Sequence, residues 1–105
     1  MSNILLIDTS DNKKIKIGLS INGKEELIIS DSKNLKSQTC LILIDKVLKE
    51  KNLDPKDLSK IQIIKGPGSF TGLRVGISIA NALSTLLKIP VNDKPIGDLE
   101  EPVYN

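Results

Sequence analysis

Three places in the chain carry residue types that could do chemistry: Asp8 at the close of an apolar run, the loop Gly66-Pro67-Gly68-Ser69-Phe70-Thr71-Gly72, and Arg74 just beyond it. A carboxylate such as Asp8 could sit beside a magnesium ion, or it could simply open a turn. The glycine loop lies between a strand and a helix N-terminus, where free N–H groups and the helix dipole could hold a phosphate. Its spacing fits neither familiar nucleotide fingerprint. Gly72 is followed by Leu73-Arg74 and not by Lys-Ser/Thr, and glycines at 66, 68 and 72 do not give G-x-G-x-x-G. A tight structural turn with Ser69 or Thr71 as N-cap explains the loop better. Arg74 falls in the first helical turn, where the macrodipole opposes a cation by roughly 0.3–1 kcal/mol. A compensating anion is expected, either a carboxylate of the same fold or a carboxylate or phosphate on a partner.

Composition removes several other chemistries. The chain has 105 residues, no His, no Trp, one Cys, and only Phe70 and Tyr104 as aromatics. Without His and with a single thiol it cannot assemble a Cys/His zinc site, a His general base or a Ser-His-Asp triad. No cofactor or metal is expected. Cys40 cannot pair within the chain, which suits a reducing compartment. The net charge is only +2, with the basic residues scattered and a single Arg. Autonomous nucleic-acid binding is not expected, since it calls for a concentrated cationic face with stacking aromatics. The N-terminal run Ile4-Leu5-Leu6-Ile7 lacks a basic flank and is too short for a signal or membrane span, so a cytoplasmic protein is expected.

The elements that must position these residues are legible from periodicity. Asn3 to Asp8 reads as a buried strand ending in turn formers. From Lys14 to Ile21 apolar and polar residues alternate strictly, which is a half-buried strand. Asn22-Gly23 suits a two-residue type I′ turn, and Lys24 to Ser30 returns as a third strand. Ser37 can cap a helix running to about Lys51. Leu53-Asp54-Pro55 opens a short helical turn, and Lys60 to Lys65 is a strand. A second helix spans Gly72 to about Lys88, and Ile89-Pro90-Val91 begins a last short strand. The fold class is α/β, a mixed sheet in the order β-β-β-α-β-α-β, which is the ribonuclease-H-like arrangement on which the actin-like ATPase (ASKHA) superfamily is built. One domain is expected over 1–91, with an irregular tail over 92–105 lying across it.

The second helix has no charge between Arg74 and Lys88. An ordinary surface helix of a small domain carries a charged face. Val75, Ile79, Leu83 and Leu86 can face the sheet, while Gly72, Gly76, Ala80 and Ser84 recur every four residues and form a row of small residues on another side. Such a row admits a closely packed helix, either the first helix of the same chain or a partner's. The first helix adds a broad apolar face. Two adjacent helices with surplus apolar surface make a candidate dimer face.

These residues carry a family resemblance. Ile4-Leu5-Leu6-Ile7-Asp8-Thr9-Ser10, Lys36-Ser37-Gln38 and, above all, Gly66-Pro67-Gly68-Ser69-Phe70-Thr71-Gly72-Leu73-Arg74-Val75-Gly76 followed by Ile89-Pro90 resemble the TsaB (YeaZ) family. The resemblance implies an actin-like fold, in which Asp8 stands where actin-like ATPases keep an acid near magnesium. It also implies a non-catalytic scaffold subunit of the bacterial machinery that places threonylcarbamoyl on the adenosine beside the tRNA anticodon. Members dimerise with themselves or pair with the catalytic relative TsaD through the two helices of the first subdomain, and the ATPase TsaE joins the pair; the resemblance thus implies Leu41, Ile44, Leu48, Gly72, Leu73, Arg74, Gly76, Ile77 and Ala80 as contact positions.

Two departures stand out. The family's His before the Ser of the first helix is Lys36 here, and the second actin-like subdomain of longer members is missing. The ending Glu101-Pro102-Val103-Tyr104 is similar to the Pro-x-Tyr close of full-length members, which favours a natural minimal form over a fragment. The alternatives to a scaffold are a self-contained structural homodimer and an ATP-dependent enzyme using Asp8 and the glycine loop.

Overall fold

The computed structural model describes residues 2–11, 13–31 and 37–103. Four strands, β1 (Asn3–Asp8), β2 (Ile15–Ile21), β3 (Lys24–Asp31) and β4 (Lys60–Ile63), form one sheet in the order β3-β2-β1-β4. The first three pair antiparallel, and β4 joins β1 in parallel. Asn22 and Gly23 take φ values of 53° and 82°, and Ile21 pairs with Lys24 across them. Two consecutive left-handed residues make the turn whose twist matches that of the strands.

Alternation along the strands decides the layers. Leu5 and Ile7 of β1, Ile15, Ile17 and Leu19 of β2, and Ile61 and Ile63 of β4 are all buried on one face of the sheet. Two helices, α1 (Ser37–Glu50) and α2 (Phe70–Leu87), cover that face. α1 lies over β2 and β3, α2 lies over β1 and β4, and the helices touch one another. Cys40, Leu43, Ile44, Val47 and Leu48 form the buried stripe of α1 at helical spacing. Burial pushes the Cys40 thiol up to about 11, so it stays protonated and behaves as a small apolar side chain. Ser37 is the first residue of α1; the cap expected of its side chain, and the departure at Lys36, lie outside the described residues. The short turn is a 3-10 helix over Pro55–Asp57, where the Asp57 carboxylate accepts the Asp54 N–H at 2.8 Å.

The last strand is shorter than its sequence indicated. Val91 makes a single parallel bridge to Ile61, framed by Ile61 N–H to the Pro90 carbonyl at 3.0 Å and Asn92 N–H to the Ile61 carbonyl at 2.7 Å. Pro90 has no N–H to give, and Asn92 turns left-handed at φ 54°, which ends the extended backbone at once. From there the chain runs irregularly across the edge of β4 and the flank of α2. The Asn81 side chain exchanges two hydrogen bonds with the Glu100 backbone at 3.0 and 2.9 Å, and Val103 N–H donates to the Lys65 carbonyl at 2.7 Å.

Candidate functional site

The glycine loop is tied into its own fold. Ser69 caps α2, its Oγ accepting the Gly72 N–H at 3.3 Å and its carbonyl the Leu73 N–H at 2.8 Å. The Ser69 N–H itself donates to the Ser10 carbonyl at 2.7 Å. A Cβ on Gly68 would lie 2.6 Å from that carbonyl oxygen, and a Cβ on Gly66 would run into the Val103 carbonyl. Close backbone approach therefore accounts for both glycines. Asp8 turns its carboxylate onto its own turn: Oδ1 accepts the Ser10 N–H at 3.0 Å and the Ser10 hydroxyl at 2.6 Å. Among the described residues, no group of three or more His, Cys, Asp or Glu side chains is placed to hold a metal ion.

The row of small residues on α2 points inward, the reverse of the sequence expectation. Gly72, Gly76, Ala80 and Ser84 are all buried. A Cβ on Gly76 would collide with Thr9 Oγ1 and come within 3.1 Å of Ile63 Cδ1. Thr9, fully buried at the end of β1, donates its hydroxyl to the Gly72 carbonyl at 2.6 Å, and Ser84 donates to the Ile89 carbonyl at 2.6 Å. The close neighbour that the row admits is the end of β1 and β4 of the same chain. Of the expected contact positions, Ile44, Leu48, Gly72, Leu73, Gly76, Ile77 and Ala80 accordingly lie inside the chain's own core, and only Leu41 and Arg74 lie on the surface. The larger residues are displaced in the opposite sense. Leu86, expected against the sheet, is 77% exposed, while Val75 and Leu83 are half-buried and Ile79 is buried.

The outer surface of the helix layer carries Leu41 and Ile42 on α1 and Phe70 and Leu86 on α2, all between 49% and 77% exposed. Ser78, Ala82 and Thr85 are exposed on α2 as well. Arg74 places its guanidinium 5.5 Å from the centroid of the Phe70 ring. Among the described residues that ring, and not a carboxylate, is the arginine's partner. Sequence reasoning overlooked Phe70 as a surface residue, although it stands four positions before Arg74, the spacing that places side chains on one helical face. α2 is also long and apolar enough to cross a membrane by length and composition alone; 39% of it is buried within the fold.

A second polar cluster, also overlooked, holds the returning chain. Glu100 is buried, with Oε2 accepting from Asn92 Nδ2 at 2.8 Å and Oε1 lying 3.6 Å from Lys65 Nζ and 4.0 Å from Lys94 Nζ. Burial alone would push its carboxyl up. The Asn92 hydrogen bond, the Lys65 charge, the Glu101 N–H and the Lys94 charge together outweigh this and hold it below its ordinary value.

The family model described as TsaD, tRNA N6-adenosine threonylcarbamoyltransferase, matches residues 30–93. Among similar proteins, the tRNA threonylcarbamoyladenosine biosynthesis protein TsaB of Buchnera aphidicola subsp. Schizaphis graminum is 42% identical over 87% of this chain and 43% of its own length. TsaB of Bacillus subtilis is 35% identical over 85% of this chain and 39% of its own length. The chain thus spans less than half of these relatives. The solved structure of YeaZ from Pseudomonas aeruginosa superimposes with a TM-score of 0.80 at 28% identity, covering 90% of this chain and 44% of that one. A Bacteroides thetaiotaomicron protein with an actin-like ATPase fold matches at a TM-score of 0.54 and 11% identity, a likeness of fold alone. With the strand order, the capped glycine loop and these matches agreeing, the chain belongs to the TsaB (YeaZ) family and has the α/β architecture of an actin-like subdomain.

Proposed function

We propose that this chain is a non-catalytic scaffold subunit in the formation of threonylcarbamoyladenosine on tRNA, and that it acts by pairing the outer face of α1 and α2 with the catalytic subunit TsaD. The observation that carries the reading is the uncharged outer face of α2, from Ser78 to Leu86, in a helix layer whose other member, α1, also leaves Leu41 and Ile42 exposed. A helix that has already buried its inner stripe gains nothing within its own chain from an outer face without charge. The TsaD model matches residues 30–93, a stretch that contains both helices, so a partner built on the same scaffold would present a related surface. Near-symmetric pairing of such faces follows the logic of an isologous dimer. A contact of standard size would bury roughly 800 Å² on each side. TsaE would join through the assembled pair, and the setting is the cytoplasm. The chain brings binding surface and no reactive group of its own. A self-contained homodimer would use the same face and is the second reading.

Light scattering of the chain alone and mixed with its cognate TsaD tests this, with Leu41→Asp and Leu86→Asp as variants. A heterodimer peak that both variants abolish while their unfolding curves stay unchanged is the expected result. A peak indifferent to both variants would place the contact elsewhere. If a homodimer forms and TsaD adds nothing to it, the scaffold reading fails and the homodimer takes its place.

A further inference from the structure

Backbone groups of alternate residues in a strand point to opposite edges. In β4 and its continuation, residues 60, 62 and 64 address β1, as Ile64 N–H does by donating to the Ile7 carbonyl at 3.1 Å. Residues 61, 63 and 65 address the outer edge. There Ile61 is fully paired with Pro90 and Asn92, Ile63 N–H donates to Asn92 Oδ1 at 2.9 Å, and the Lys65 carbonyl accepts from Val103 at 2.7 Å. The Ile63 carbonyl and the Lys65 N–H, which lie between these partners, have none among the described residues. The edge is thus satisfied on both sides of a gap one ladder position long.

The gap opens into a cleft of about 530 Å³, lined by Ile63, Ile64 and Lys65 of the β4 edge and by Asn92, Lys94 and Glu100 of the returning segment. That volume falls in the roughly 300–1,000 Å³ range of small-ligand sites. The charges in it do not balance. Lys65 and Lys94 share the one carboxylate of Glu100 at 3.6 and 4.0 Å, and the other Glu100 oxygen is already held by Asn92. Lys60 at the rim has its own partner in Asp93 at 3.0 Å. Two ammonium groups, one carboxylate and an unpaired N–H leave room for one more anion.

We propose that this gap is a binding site for a single extended residue of a peptide, one that bears a carboxylate side chain and runs parallel to β4 between Asn92 and Val103. The direction follows from which groups are free. They belong to the residues on either side of Ile64, and a single ligand residue satisfies both only in the parallel arrangement, donating to the Ile63 carbonyl and accepting from the Lys65 N–H. The backbone supplies the alignment, and the carboxylate settles between Lys65 and Lys94, opposite Glu100. The side chain of Asn92 already imitates a strand one position earlier by accepting the Ile63 N–H. This site is separate from the helix face and stands or falls independently of it.

The test is a titration of the isotope-labelled chain, followed by amide resonances, with the capped residue acetyl-Asp-N-methylamide, its lysine counterpart and the aspartate peptide methylated on its α-nitrogen. A saturable shift centred on the Lys65 amide with the first peptide and absent with the other two is expected. Lys94→Ala should weaken that binding about fivefold while leaving the spectrum dispersed. No saturable response at Lys65 would overturn the proposal. An equal response to the lysine peptide would remove the acidic preference, and an equal response to the N-methylated peptide would remove the strand pairing; either result overturns it too.

Discussion

The two long faces of α2 are both nearly free of charge, yet for opposite reasons. The inner face is built of Gly72, Gly76, Ala80 and Ser84 because Thr9 and Ile63 approach so closely that a single added methyl at position 76 would collide. The outer face carries Phe70, Ser78 and Leu86, which the described chain leaves exposed. The inner face is small because something of this chain touches it. The outer face lacks charge beyond Arg74 although little of this chain touches it. A hydropathy profile sums the two and cannot separate packing within the fold from uncharged surface that the fold leaves exposed.

The sharpest way to break this comparison is to place the same side chain on each face. Ala80 is fully buried and Ser78 exposed, two residues apart on one helix. Ala80→Arg forces an unpaired charge into the core and is expected to lower the unfolding free energy by more than about 4 kcal/mol, enough to unfold a marginal domain. Ser78→Arg should stay within about 0.5 kcal/mol. Urea titration of both variants decides it, and equal losses would mean that the assignment of faces is wrong. For the same reason a charge at Ala80 cannot serve as an interface probe.

The next effect lies at the point of closest approach. Gly76→Ala overpacks the contact with Thr9 and Ile63 and should cost about 1–3 kcal/mol. Thr9→Val keeps the shape but removes the hydroxyl that reaches the Gly72 carbonyl in addition to its helical bond, at about 0.5–1.5 kcal/mol. The two positions share one contact, so the double variant should lose less than the sum of the singles. Strict additivity in thermal unfolding would show that Thr9 and Gly76 do not press on one another.

Much of this architecture was legible in the sequence. Ile15, Ile17, Leu19 and Ile21 announce β2 by alternation, and Asn22-Gly23 announces the hairpin, because those signals are local and the physics that reads them is local too. The orientation of α2 was not. Small residues every four positions are equally compatible with a partner helix, with α1 and with a sheet, and the choice depends on Thr9, sixty-three residues away from the Gly72 carbonyl it holds. The same distance problem hid Glu100. Its burial follows from Asn81, Asn92 and Lys65, and an acid in a Pro-interrupted segment reads as solvated. Residue types located the glycine loop and narrowed its cap to Ser69 or Thr71; the choice of Ser69, and which side of the following helix faced inward, required the fold.

Glu100 also sharpens the comparison, since the segment it anchors closes one flank of α2 through Asn81. Its folded carboxyl is held below the ordinary value of 4.5. Below that unfolded value the unfolded chain takes up the proton first. The carboxylate's contribution is therefore complete above about pH 4.5 and fades as pH falls through the lower, folded value. Glu100→Gln should cost about 1 kcal/mol at neutral pH and flatten the acid limb of a stability profile. An unchanged acid limb would mean that the returning segment is held by its backbone alone.

The smallest effect on stability belongs to the outer face, and its smallness is the point. Leu41 and Leu86 are 49% and 77% exposed, so Leu41→Ser and Leu86→Ser remove little buried area and should shift the unfolding free energy by no more than about 0.5 kcal/mol each. A denaturation midpoint that moves further would mean that these side chains already pack within the chain. If the midpoint holds while association with TsaD weakens, affinity and stability have been separated on one helix. Substitutions on the inner face cannot do this, because there a change in binding would follow from a change in fold. The outer face can be judged as a binding surface only while the inner face stays intact, so unfolding and association have to be measured on the same variants.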